Sequence, residues 1–139
     1  MADDALTVLV YSDDRNTRDE VRLALGRRPA SDLPPIEFVD VATEWAARER
    51  LGNGGIDLAI LDGEAVPAGG LGVCRTIKQE IFRSPPVLVI IGRSQDAWLA
   101  SWSRADGVAT HPIDPIALAA AAAELLRTRA AARGVSTTP

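Results

Sequence analysis

Apolar residues gather in five short runs, and polar or helix-breaking residues close each run. Leu6 to Ser12 is continuous and is followed by Asp13 and Asp14. Ile36 to Val41 alternates less cleanly but is rich in β-prone residues. Ile56 to Leu61 stops at Asp62, Val87 to Ile91 is the purest run, and Gly107 to Thr110 is the shortest. Runs of this length, dominated by Val, Ile and Leu, read as parallel strands buried on both faces.

The intervening segments carry helix signals. Asp13 or Asp14 caps a helix from about Arg15 to Arg27, with Val21, Leu23, Ala24 and Leu25 as its apolar side and Gly26 at its end. Pro29, Pro34 and Pro35 make the next link a loop. Thr43 opens a second helix that ends near Leu51, before Gly52-Asn53-Gly54-Gly55. Gly70 to Phe82 reads as the third helix, and Ser94-Gln95-Asp96 starts the fourth. Asp114-Pro115, a cap followed by proline at the first helical position, starts an alanine-rich fifth from about Ile116 to Arg133. Five strand–helix units with short links predict one α/β domain over 1–139: a parallel sheet with helices on both faces, a core over about 6–133 and a flexible tail over 134–139.

Composition narrows the function classes. The chain has 139 residues, 47% hydrophobic and 24% charged, enough for one buried core. No apolar run approaches the roughly 20 residues that span a bilayer, and the acidic start Met1-Ala2-Asp3-Asp4 is unlike a secretory signal. A cytoplasmic protein without membrane insertion is expected. The net charge of −4 argues against a nucleic-acid surface. The single cysteine, Cys74, excludes an internal disulfide and reads as a small apolar helix residue. No glycine-rich phosphate loop or nucleophile elbow is present, so an enzyme is not expected.

Two strands end in acid, Asp13-Asp14 and Asp62, and in open α/β sheets ligands bind at the carboxyl ends of the strands. Asp57-Leu58-Ala59-Ile60-Leu61-Asp62, then Pro67, then Gly70-Leu71-Gly72-Val73-Cys74-Arg75, resembles the receiver domain of two-component response regulators, the CheY-like fold. Pro86 to Ile90 and His111-Pro112-Ile113-Asp114-Pro115 extend the resemblance to nearly the whole chain, although Pro67 stands one position late. The resemblance implies a five-stranded sheet in the order 2-1-3-4-5, which brings Asp13 and Asp62 together. It implies that Asp62 is the candidate phosphoacceptor. Asp13, Asp62 and the backbone carbonyl of Glu64 would hold Mg²⁺, which neutralises the oxygens of a transferring phosphoryl group.

Four positions depart from the family pattern. Ser12 replaces the first acid of the usual pair and retains only a water-mediated role at the metal. Ile91 replaces the hydroxyl residue at the end of the fourth strand. His111 replaces the lysine before Pro112, and histidine does not hold a lysine's permanent charge. Val108 replaces the switch aromatic of the fifth strand. The Mg²⁺ site is therefore expected to be weak. Each residue also has a plain structural reading: Asp13 as a helix cap, Glu64 as a solvated loop charge, His111 as a turn residue.

Trp98 and Trp102 lie at i and i+4 on the fourth helix and share one face, either in the core or at a partner surface. Trp45 reads as a packing or edge residue. The chain is thus expected to be a stand-alone receiver without an output domain. It would act through an unidentified protein partner, or as a homodimer, with little dependence on phosphorylation. The alternative is a single-domain regulator that accepts a phosphoryl group on Asp62 from a histidine kinase.

Overall fold

A computed structural model describes residues 5–66, 68–81, 83–93 and 96–134. Strands β1 (Leu6–Tyr11), β2 (Ile36–Val41), β3 (Leu58–Asp62), β4 (Val87–Ile91) and β5 (Gly107–Thr110) alternate with helices α1 (Arg15–Leu25), α2 (Glu44–Gly52), α3 (Gly70–Glu80), α4 (Ala97–Ser103) and α5 (Pro115–Arg133). The strands form one parallel sheet in the order β2-β1-β3-β4-β5, as the resemblance implied.

Side chains alternate across the sheet, so each strand feeds two cores. On one face Leu6, Val8, Val10, Leu58, Ile60, Leu88 and Ile90 pack with Val21 and Leu25 of α1 and Leu118, Ala122 and Leu126 of α5. On the other, Leu9, Tyr11, Ala59, Leu61, Val89 and Ile91 pack with Ala47 and Leu51 of α2, Val73 and Ile77 of α3, and Ala100 of α4. The alanine-rich stretch of α5 serves this packing, since Ala122, Ala123 and Ala130 are buried beneath α1 and the sheet.

Caps set the helix starts. Asp14 accepts from the Asn16 N–H, Thr43 from the Ala46 N–H, and Asp114 from the N–H groups of Ile116 and Ala117. Several boundaries differ from the sequence reading. The predicted third strand from Ile56 begins at Leu58, because the Thr7 N–H bonds the Asp57 side chain (2.8 Å) instead of a strand carbonyl. The third helix, predicted to Phe82, ends at Glu80, with Ile81 in an extended conformation. The fourth helix runs from Ala97, and the Asp96 carboxylate turns to the Arg93 guanidinium and makes no cap. Ser94, Phe82, Pro67 and the predicted tail beyond Gly134 lie outside the described residues. The His111–Pro112 peptide is cis.

At the pole opposite the acidic edge, Asp57 ties α5 to the sheet. Its side chain is 3% exposed and accepts from Arg129 Nε (3.1 Å) and Arg133 Nη1 (2.7 Å), besides the Thr7 N–H. Among the described residues no helix is long and apolar enough to cross a membrane.

Candidate functional site

The register Tyr11 with Leu61 sets Ser12 beside Asp62 at the carboxyl edge of the sheet. Ser12 is fully buried and Asp62 nearly so. Ser12 Oγ donates to Asp62 Oδ2 at 2.7 Å and accepts the Asp14 N–H at 3.1 Å. Asp62 Oδ1 accepts the Glu64 N–H (2.9 Å), a local turn in which the side chain caps its own loop. The same oxygen meets His111 Nε2 at 2.9 Å. A carboxylate oxygen only accepts, so Nε2 carries the hydrogen. Both oxygens of Asp62 are therefore held by donors from this chain, and among the described residues no buried polar side-chain atom lacks a partner.

His111 is more than the turn residue of the plain sequence reading. Its backbone N–H continues the sheet by bonding the Ile91 carbonyl (2.8 Å), which aims the ring at Asp62. A donor thus stands where the resemblance places a lysine. The Ser12 hydroxyl contacts the Asp62 carboxylate directly.

The remaining predicted ligands are arranged as follows. Asp13 is exposed and its Oδ1 accepts the Val66 N–H at 3.0 Å. Asp14 is the helix cap, also taking the Thr17 hydroxyl at 3.3 Å. The Glu64 carboxylate lies over Gly92, where a Cβ would displace it. Gly70 is tightly placed against backbone, since its Cβ would sit 2.7 Å from the Asp62 carbonyl oxygen, and α3 starts directly under the site. Ile91 is buried in the α3–α4 core and brings no hydroxyl. Val108 is 38% exposed on β5.

The fit of this donor set to Mg²⁺ is poor. Mg²⁺ requires near-octahedral oxygen donors and usually one or two carboxylates. Here Ser12 brings no charge, and both oxygens of Asp62 and one of Asp13 already accept hydrogen bonds. Among the described residues no cluster of three His, Cys, Asp or Glu side chains stands where it would hold a metal ion.

Two residues that the sequence reading did not single out complete the edge. Tyr11, buried at the end of β1, donates its hydroxyl to the Ala68 carbonyl at 2.5 Å and so straps the loop after β3. Burial pushes its phenol above the ordinary value, and the nearby charges of Glu44, Asp13 and Asp62 push the same way. Arg18 Nη1 holds the Ser12 carbonyl at 2.6 Å. The chain's only tyrosine, placed two residues before Asp13, was the available signal. Nothing in the sequence marked Arg18.

Away from the edge, Trp98 is 66% and Trp102 46% exposed on α4. The Arg75 guanidinium stacks 4.6 Å from the Trp102 ring centre and donates to the Trp102 carbonyl at 2.6 Å.

Comparison with known proteins places this geometry. No family model matches the chain. The chain is 51% identical over 123 residues to an uncharacterized response regulatory protein of Mycobacterium tuberculosis, found in two strains; the match covers 88% of this chain and 92% of that protein. Among solved structures, it resembles a CheY-like response regulator receiver domain protein from Methanospirillum hungatei with a TM-score of 0.70. The identity there is 17%, over 92% of this chain and 98% of that one. It also resembles the signal receiver domain of an HD domain-containing protein from Pseudomonas fluorescens, with a TM-score of 0.75 and 16% identity, over 93% and 92% of the two chains. These structural likenesses show the fold.

Proposed function

Because this chain belongs to the response regulatory proteins, a bacterial signal-transduction family with the CheY-like receiver fold, we propose that it signals through protein contacts that depend little, or not at all, on phosphorylation of Asp62. The observation that carries this reading is the clamp on the Asp62 carboxylate by Ser12, His111 and the Glu64 N–H. These donors stabilise the unmodified carboxylate and lower its nucleophilicity, each hydrogen bond to a charged group being worth roughly 1.5–3 kcal/mol. The cation that would offset like-charge repulsion meets a donor set short of one carboxylate.

The response to a phosphoryl group would also be small. A ligand shifts a conformational equilibrium only by its differential affinity for the two states. Ile91 offers no hydroxyl to pull toward a phosphoryl oxygen, and Val108 offers no aromatic ring to rotate. The surface that would meet the partner is α4, where Trp98 and Trp102 expose large amphipathic rings of the kind favoured in binding hot spots.

The second reading, phosphorylation of Asp62 by a histidine kinase, draws support from one contact. His111 Nε2 supplies a donor to the same carboxylate that the family serves with lysine.

Intact mass after incubation with Mg²⁺ and acetyl phosphate separates the two, with Asp62→Asn alongside and circular dichroism to verify folding. No adduct on the folded protein is expected. A phosphoryl adduct on the wild type that is missing from Asp62→Asn would replace the first reading with the second.

A further inference from the structure

A second surface, on the side of α2, has no part in the reading above. Ala47 and Leu51, four residues apart, are the buried positions of α2. That spacing turns Trp45 outward, and it is 73% exposed. Glu44, Trp45, Arg48, Glu49 and Gly52 form one wall of a groove of about 550 Å³, and Ile77, Glu80 and Ile81 at the end of α3 form the other. The groove stays open at Gly52, where a Cβ would meet nothing within 4 Å.

Its charges are unbalanced. Arg48 is used up by Glu80, which it grips through both carboxylate oxygens (3.0 and 2.6 Å). Glu44 and Glu49 pair with no cation among the described residues. An exposed indole in a groove that also carries two carboxylates without an ion-pair partner attracts a flat cation, since the ring face binds guanidinium and the carboxylates accept its N–H groups.

We propose that this groove docks an arginine side chain from a basic segment of a partner protein. A second copy of this chain is a poor occupant. A two-fold contact would set Glu44 and Glu49 against their own duplicates, and like charges across an interface repel. The site is independent of Asp62, so it stands whichever reading of the phosphoacceptor holds.

The test is a titration of the protein with a hexa-arginine peptide, followed by the indole N–H resonances of Trp45, Trp98 and Trp102. Hexalysine and hexaglutamate peptides serve as controls. The expected result is a saturable shift confined to Trp45 and its neighbours, stronger for arginine than for lysine and absent for glutamate. The double variant Glu44→Gln/Glu49→Gln should weaken it about tenfold, and Trp45→Ala should abolish the site-specific shifts while leaving the fold intact. Equal responses to arginine and lysine, unchanged binding by the Glu variant, or shifts spread over all acidic surfaces would overturn the proposal. So would concentration-dependent self-association that Trp45→Ala removes, which would assign the groove to a second copy.

Discussion

Replacing Ser12 by alanine removes one oxygen atom and should cost far more than an average surface change. The hydroxyl is fully buried and donates to Asp62 Oδ2 at 2.7 Å; that oxygen has no other donor among the described residues. Losing a hydrogen bond to a charged, buried acceptor costs roughly 1.5–3 kcal/mol. The Asp14 N–H also loses Ser12 Oγ, but Asp14 is exposed and water replaces the bond at little cost. The expected loss is about 2 kcal/mol, which for a domain of this size lowers Tm by about 6–10 °C. Urea unfolding measures it directly, and a double-mutant cycle assigns it. In an Asp62→Ala background the same substitution has no carboxylate to abandon, so its cost should fall to about 0.5 kcal/mol or less. A Ser12→Ala protein within about 0.5 kcal/mol of wild type would refute the clamp. So would an equal cost in both backgrounds.

Three further outcomes follow from the same geometry. Ser12→Asp sets a second carboxylate against Asp62, so the variant should melt below wild type without a divalent cation and be rescued by millimolar Mg²⁺, whereas wild type shifts little; thermal melts with and without Mg²⁺ read this. Asp57→Ala strands Arg129 and Arg133 and frees the Thr7 N–H; because both arginines reach solvent, the cost should be about 2–3 kcal/mol in urea unfolding. The bidentate Arg127–Asp32 pair (2.7 and 2.9 Å) holds the Asp32 carboxyl below its ordinary pKa, chiefly through the Arg127 hydrogen bonds. Its stabilisation is therefore present above the unfolded value near ~3.9 and lost as pH falls through the depressed one. The Tm difference between wild type and Arg127→Ala should be constant at neutral pH and disappear on acidification below about pH 4.

The fold was legible because it is written in local signals. Continuous apolar runs marked β1, β3 and β4, which are buried on both faces. β2 read less clearly because it is the sheet edge, with Glu37 and Asp40 exposed. The site was legible only as positions. Ser12 and Asp62 lie 50 residues apart and His111 and Asp62 lie 49 apart, and only the sheet register turns those separations into contacts. Asp57 lay within the predicted third strand, while its partners come 72 and 76 residues later. Trp45, read as a packing or edge residue, is exposed and so is not a packing residue. The helical spacing of Ala47 and Leu51 already fixes the buried side of α2 and leaves the tryptophan off it.

The departures from the family pattern are better understood together than singly. A strand-end carboxylate buried to this degree needs compensation, from a cation or from hydrogen-bond donors. With an acid at position 12 and lysine at position 111, compensation would come from charge, some of it supplied by a metal. With Ser12 and His111 it comes from directed donors already within the fold, and Glu64 completes the set through its backbone N–H. An acid at position 12 would repel Asp62 unless a cation intervened, whereas the serine hydroxyl binds it outright. On the proposed reading, Ser12 supplies a direct bond where the family pattern has an acid, and Asp62 is the acceptor at the centre of that network. The decisive experiments therefore fall on Ser12 as well as on Asp62.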